Sequence, residues 1–208
     1  MKRAYRISIP VLFPFFLLAA CATSARLTVP GDLSRPEKAA KPPAVAPQVV
    51  VLDFDYSPQE PGVVGRDFDQ VRPIDWGGKP GKAVADLVAG ILAENGVGVV
   101  RAAVDGPALG TALVRISGQV QRFEVNARRT STLNVATEGT VTLAVTASGG
   151  SLAAPRDYTV TTRTSLGNVY VNSEDARDAL FSSANAAAEE VVRNLLGSGV
   201  VSAPPSGK

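Results

Sequence analysis

Hydrophobic and polar positions follow three different rhythms along this chain. Val49, Val50, Val51 and Leu52 form a continuous apolar run that turns to alternation through Asp53, Phe54, Asp55 and Tyr56, as a central strand would. From Pro80 to Asn95 the apolar residues Val84, Leu87, Val88, Ile91 and Leu92 recur at helical spacing. Pro80 suits the first helical turn and Gly96 the position after the last. Val97 to Arg101 reads as a second short strand, closed by the turn residues Asp105, Gly106 and Pro107.

The strongest β rhythm comes later. From Leu133 to Ser148 the odd positions run Leu133, Val135, Thr137, Gly139, Val141, Leu143, Val145 and Ala147, while the even ones are mostly polar. That predicts a half-buried antiparallel strand with one wet face. Val114, Ile116, Gly118 and Val120 alternate too, but the phase then slips so that Phe123 and Val125 are apolar. A β-bulge near Gln121 and Arg122 accounts for the slip. Gly149 and Gly150 mark a turn, and Tyr158, Val160 and Thr162 carry a third antiparallel strand.

A final helix is expected from Ser173 to Leu196, with Asn172 or Ser173 as cap and Glu174 and Asp175 at the positive end of its dipole. Leu180, Ala184, Ala187, Ala188, Val191 and Leu195 make its apolar stripe, Gly197 closes it, and the many alanines suggest close packing on a sheet. The order is strand, helix, strand, three antiparallel strands, helix. It predicts an α/β (α+β) fold: a two-layer sandwich with a mixed sheet of about five strands, an antiparallel meander, and two helices on one face.

The ends read differently. Lys2, Arg3 and Arg6 precede an apolar stretch from Ile7 to Leu18 that is too short to span a bilayer, which takes about 20 apolar residues. It has the make-up of a secretory signal, so residues 1–20 are set apart from the fold. Leu18, Ala19, Ala20 and Cys21 then resemble the lipobox of bacterial lipoproteins, which implies cleavage before Cys21 and covalent diacylglycerol and N-acyl lipid on it. Ala22 stands where an aspartate would resemble an inner-membrane retention signal. The expected location is therefore the outer membrane, facing the periplasm. Residues 21–47, rich in proline, read as the lipidated cysteine and a tether. Residues 48–197 read as one domain and 198–208 as a disordered tail.

Composition narrows the chemistry. Taking Lys2, Arg3 and Arg6 from the 21 basic residues leaves 18 against 19 acidic, so no electrostatic footprint for nucleic acid remains. Arg122, Arg128 and Arg129 read as a solvated edge. There is no histidine, which removes the commonest general base and most zinc sites. Cys21 is the only cysteine, so no disulfide staples the fold. No enzyme activity, metal or cofactor beyond the anchoring lipid is expected.

Asp53 and Asp55 lie two apart, where paired carboxylates could hold a cation, but they fit solvent or loop capping better. Asp67, Asp69 and Asp75 lack the spacing of a calcium loop. Gly77, Gly78, Lys79, Pro80, Gly81 and Lys82 lead into a helix like a phosphate loop, yet Trp76 stands where the first glycine belongs and Ala83 where Ser or Thr belongs. Residues 57–79 read as a loop. Its large apolar residues Phe68, Val71, Ile74 and Trp76 are either packed over an open sheet edge or kept as a partner contact.

The succession of the strand at Val49 to Asp55, the helix at Lys82 to Leu92 and the strand at Asn95 to Val100 resembles the opening of several periplasmic lipoprotein domains. These are the curli-secretion, penicillin-binding-protein activator and YajG-type lipoproteins, all similar to the N-terminal domain of TolB. Ile116 to Val120 and Gly139 to Leu143 are similar to the glycine-centred strand of that group and the amphipathic strand after it. ABC-transporter auxiliary lipoproteins look alike too, including a tryptophan shortly before the first helix, as Trp76 is here. The resemblance implies a membrane-anchored, non-enzymatic accessory or adaptor that binds a protein partner in the periplasm. The alternative it leaves is a lipid-binding auxiliary subunit of an envelope transport system.

Overall fold

The computed structural model describes residues 26–31, 33, 46, 48–58, 60–67, 72–103, 113–168 and 170–202. Leu18, Ala19, Ala20 and Cys21 of the lipobox lie outside the described residues, as do Phe68, Asp69, Val71 and residues 203–208. Among the described residues nine strands form one mixed sheet, which is larger than the five or so expected.

The spine of the sheet is β7 (Val114–Arg129). Along one edge it pairs antiparallel with β8 (Val135–Gly149), and β9 (Arg156–Asn168) follows in the same sense to complete the meander. Its other edge is shared by three short parallel strands: β2 (Val49–Leu52), β3 (Asp55–Tyr56) and β4 (Val63–Arg66). Beyond β2 lies parallel β6 (Val99–Ala102), reached through helix α1 (Pro80–Glu94). Beyond β4 come antiparallel β5 (Pro73–Trp76) and then β1 (Leu27–Val29), parallel to β5.

The bulge falls where the phase slip places it. Val120 faces Leu143 and Arg122 faces Thr142, so Gln121 is the extra residue, and Val120 and Phe123 both stay buried. Leu133, in contrast, is not on the inner face. It is 73% exposed in the turn before β8, where the Thr130 and Ser131 N–H groups donate to Asn134 O and end the alternation.

Helix α2 (Ser173–Gly197) is capped by Asn172, whose side-chain oxygen accepts from the Asp175 N–H at 2.8 Å. Ala176, Ala179, Ala184, Ala187 and Ala188 are fully buried, and the helix packs mainly against β8 and β9. The helix runs through Gly197, and the left-handed turn is made by Gly199 (φ 69°) instead. Two domain boundaries also move. Val200 and Val201 are buried, so the fold continues past residue 197. β1 belongs to the sheet instead of a tether, because pairing with β5 satisfies its backbone where the local sequence offers no pattern, and Val29 and Leu33 are buried.

Candidate ligand pocket at the start of the first helix

Phe54, just past β2, packs its ring against Gly118 of β7, and the chain then reaches Tyr56 in β3. The β4–β5 hairpin brings Val64 and Trp76 alongside, and Gly77 and Gly78 lead into α1. These turns enclose a concave cavity of about 400 Å³. Its apolar wall is made by Phe54, Tyr56, Pro61, Val64 and Trp76, and Lys79, Lys82 and Asp53 stand at its polar side. A cavity of this size and lining is typical of small-molecule sites. Gly81 is needed here: a Cβ on it would stand 1.8 Å from the Phe54 carbonyl oxygen, so only glycine lets the helix start lean on the end of the strand.

The start of α1 breaks a local rule. Lys79 has the extended backbone of a capping residue (φ −106°, ψ 103°), but a lysine side chain cannot accept a hydrogen bond, and no side chain caps the helix. The first turn holds no acidic residue. Pro80 has no N–H, and the Ala83 N–H donates to Lys79 O at 3.0 Å. The Gly81 and Lys82 N–H groups, in the first turn, have no intrahelical acceptor.

Trp76 is 5% exposed and meets Phe123 edge-on, with ring centroids 5.1 Å apart. Its indole Nε1 is buried and has no hydrogen-bond partner among the described residues. Ile74 is fully buried in the same strand. These two expected partner contacts therefore face the core, because β5 is a sheet strand whose alternate side chains point inward.

The charges near the cavity are mostly paired. Arg101 of β6 bonds Asp53 Oδ1 at 2.5 Å, Asp86 Oδ1 at 2.9 Å and the Val51 carbonyl oxygen, while Lys82 meets Asp86 Oδ2 at 2.6 Å. Burial alone would raise the Asp86 pKa, but the hydrogen bonds and positive charges of Lys82 and Arg101 outweigh it and hold the carboxyl below its ordinary value. The stability this adds is present above the unfolded-state pKa and is lost as pH falls through the lowered one. Burial, and then the negative charge of Glu124, raise the Tyr56 pKa above 10.0. Tyr56 is thus a neutral hydroxyl, and its contribution is lost only as pH rises through the raised value.

Asp53 and Asp55 do not act as a pair: Asp53 is held by Arg101, and Asp55 is exposed on β3. Asp67 pairs with Arg72 at 2.7 Å and Asp75 with Arg26 at 3.1 Å. Arg122 meets Glu124 at 3.0 Å. Among the described residues no group of three or more acidic or sulfur ligands could hold a metal, and no helix is long and apolar enough to cross a membrane. The cavity itself was missed in the sequence. Its one readable signal is a helix start with proline at the first position and lysine where a cap belongs.

No family model matches the chain, and no curated protein matches it in sequence. Solved structures are similar to it in fold. A Xanthomonas campestris protein of the family model DUF330 superposes with a TM-score of 0.52 at 16% identity, over 85% of this chain and 96% of that one. This likeness shows a shared fold. Weaker resemblances join the chain to the PelC dodecamer of Paraburkholderia phytofirmans (TM-score 0.45, 18% identity, 74% of this chain and 93% of that one). A minor lipoprotein of Acinetobacter baumannii is similar at a TM-score of 0.38 and 12% identity, over 76% and 96%. Those two superpositions are too loose to support an argument.

Proposed function

We propose that this chain is a lipid-anchored accessory protein of the bacterial envelope, on the periplasmic side of the outer membrane, whose domain binds a protein partner and performs no catalysis. The lipobox ending at Cys21 supports the anchor. One structural observation carries the partner reading: among the described residues β9 pairs only with β8, leaving the outer edge of a 13-residue strand without a neighbouring strand there. Such an edge is a template for an added strand, in which main-chain hydrogen bonds supply affinity and alternate side chains specificity. No proline and no register shift interrupts it. That replaces the expected contact through Ile74 and Trp76.

Photo-crosslinking side chains placed in cells at Thr161 and Arg163 of β9, and at the exposed Arg193 of α2, test this reading. The β9 positions should capture one defined envelope protein and Arg193 should not. Equal capture from both, or none from β9, overturns it. A second reading, a lipid-binding auxiliary subunit of an envelope transport system, is supported by the apolar cavity beside α1.

A further inference from the structure

We infer that the end of the domain carrying Leu133 and Tyr170 rests on a phospholipid surface and inserts these two side chains among the headgroups. The inference rests on the lipid anchor proposed at Cys21 and goes beyond it, because an anchor alone leaves the domain free to face any way.

Leu133 and Tyr170 are the large apolar side chains left exposed among the described residues, at 73% and 67%. Single exposed apolar residues are ordinary. Here the topology brings both to one place. Val135 of β8 faces Asn168 of β9 in the end pair of the meander, and Leu133 and Tyr170 each lie two residues beyond it. They therefore stand at the same end of two adjacent strands.

The second observation is where the chain enters the fold. Leu27, the first residue of β1, packs against Ala127, Val135 and Val171, which places the start of β1 at this same end. Arg26 follows Cys21 by five positions, a span of at most about 18 Å. A lipid on Cys21 therefore keeps this end of the domain close to the bilayer. The opposite end, at the Gly149–Gly150 turn, lies the length of 15-residue β8 away, roughly 45 Å.

The chemistry fits a membrane boundary. Tyrosine joins an apolar ring to a hydroxyl that can meet headgroups, and leucine suits the edge of the acyl layer. Arg128 and Arg129 are exposed where β7 runs into the turn that holds Leu133, and guanidinium groups match lipid phosphates. Glu174 and Asp178 are exposed acidic residues at the start of α2, and Arg177 lies 4.0 Å from Asp178. Two inserted side chains suffice because the anchor supplies the bilayer at high effective concentration, a help that no protein partner shares. Docked in this way, β9 runs away from the bilayer and its outer edge stays within reach of the partner proposed above.

The chain from Cys21 to Lys208, made without lipidation, is coupled through its only thiol to a maleimide phospholipid. The vesicles are phosphatidylglycerol and phosphatidylcholine, with or without brominated acyl chains, which quench nearby tryptophan. Trp76, the only tryptophan, is buried and serves as the internal reference. Leu133→Trp and Tyr170→Trp introduce a reporter at each exposed position, and Ser151→Trp does so at the opposite turn. A side chain carried about 5–10 Å into the boundary should cost Leu133→Trp and Tyr170→Trp roughly a third or more of their emission in brominated vesicles. The parent and Ser151→Trp should keep theirs. The chemical coupling supplies the anchor in every case, and the mass of the protein made in cells reads the lipid on Cys21 separately. Failure of the anchor and failure of the docking are thus told apart. The inference is overturned if either position at this end keeps its emission, which would hand the pair to a protein contact, or if Ser151→Trp loses as much.

Discussion

Gly139 lies where the backbone of α2 meets the sheet. A Cβ there would stand 2.3 Å from the carbonyl oxygen of Ala179 and 2.9 Å from the Leu180 nitrogen, and backbone on both sides cannot yield cheaply. Ser183 Oγ donates to Gly139 O at 2.8 Å, and Thr162 Oγ1 donates to Ser183 O at 2.6 Å, so strand and helix are also pinned by hydrogen bonds. Gly139→Ala is expected to lower stability by about 1–3 kcal/mol through overpacking. Gly167→Ala, with nothing within 4 Å of its Cβ, should be nearly neutral. Urea unfolding of the two variants of the Ala22-to-Lys208 chain checks this. Gly139 could be read from the alternation, since it holds an inward position, and so could the alanine stripe it receives. Trp76 could not. Proline, glycine and aspartate surround it, and a large apolar residue in such a stretch fits a packed strand as well as an exposed contact. Only its pairing partners decide, and these come from distant parts of the chain.

Elements with a long period were legible and short ones were not. α1, α2, β7 and β8 each run 15 residues or more, long enough for a rhythm of 3.6 or 2 to show above composition. β4 and β5 have four residues each, and a register shift between Val63 and Gly65 breaks even that brief alternation. β1 has three residues in a proline-rich stretch. Such strands exist because neighbours accept their backbone groups, which no local pattern records. It follows that the folded unit begins well before residue 48. A chain starting at Gln48 lacks β1 and the buried Val29 and Leu33, and it leaves the edge of β5 beside Trp76 open. At about 1.5–3 kcal/mol for each buried aliphatic side chain, it should lose roughly 3–6 kcal/mol relative to the chain starting at Ala22. Denaturant midpoints of the two chains measure the difference. Equal midpoints would return residues 27–33 to the role of a tether.

For the whole molecule, the class was legible and the extent of the sheet was not. Two helices on a mixed sheet with an antiparallel meander followed from the order of elements. The roles of β7 did not, because one 16-residue strand meets β2, β3 and β4 at three separate places along a single edge. That arrangement leaves the molecule unequal in its protection. β7 is bonded to β8 along its length on one side and to these short strands on the other, with α1 and α2 both packed against it. Among the described residues β9 is bonded on one side only, so alternate N–H groups along Arg156–Asn168 face away from β8. Residue-resolved amide exchange should therefore show the paired β7 amides opening only with global unfolding, and a two-residue periodicity of fast exchange along β9. The periodicity is the decisive part. A fast β9 without it would mean the whole strand frays and offers no ordered template to a partner. Outward amides as slow as those of β7 would mean the edge is already covered. If that protection grew with protein concentration, the cover would be a second copy of the chain, and the β9 edge would be a self-association surface instead of a docking site for another protein.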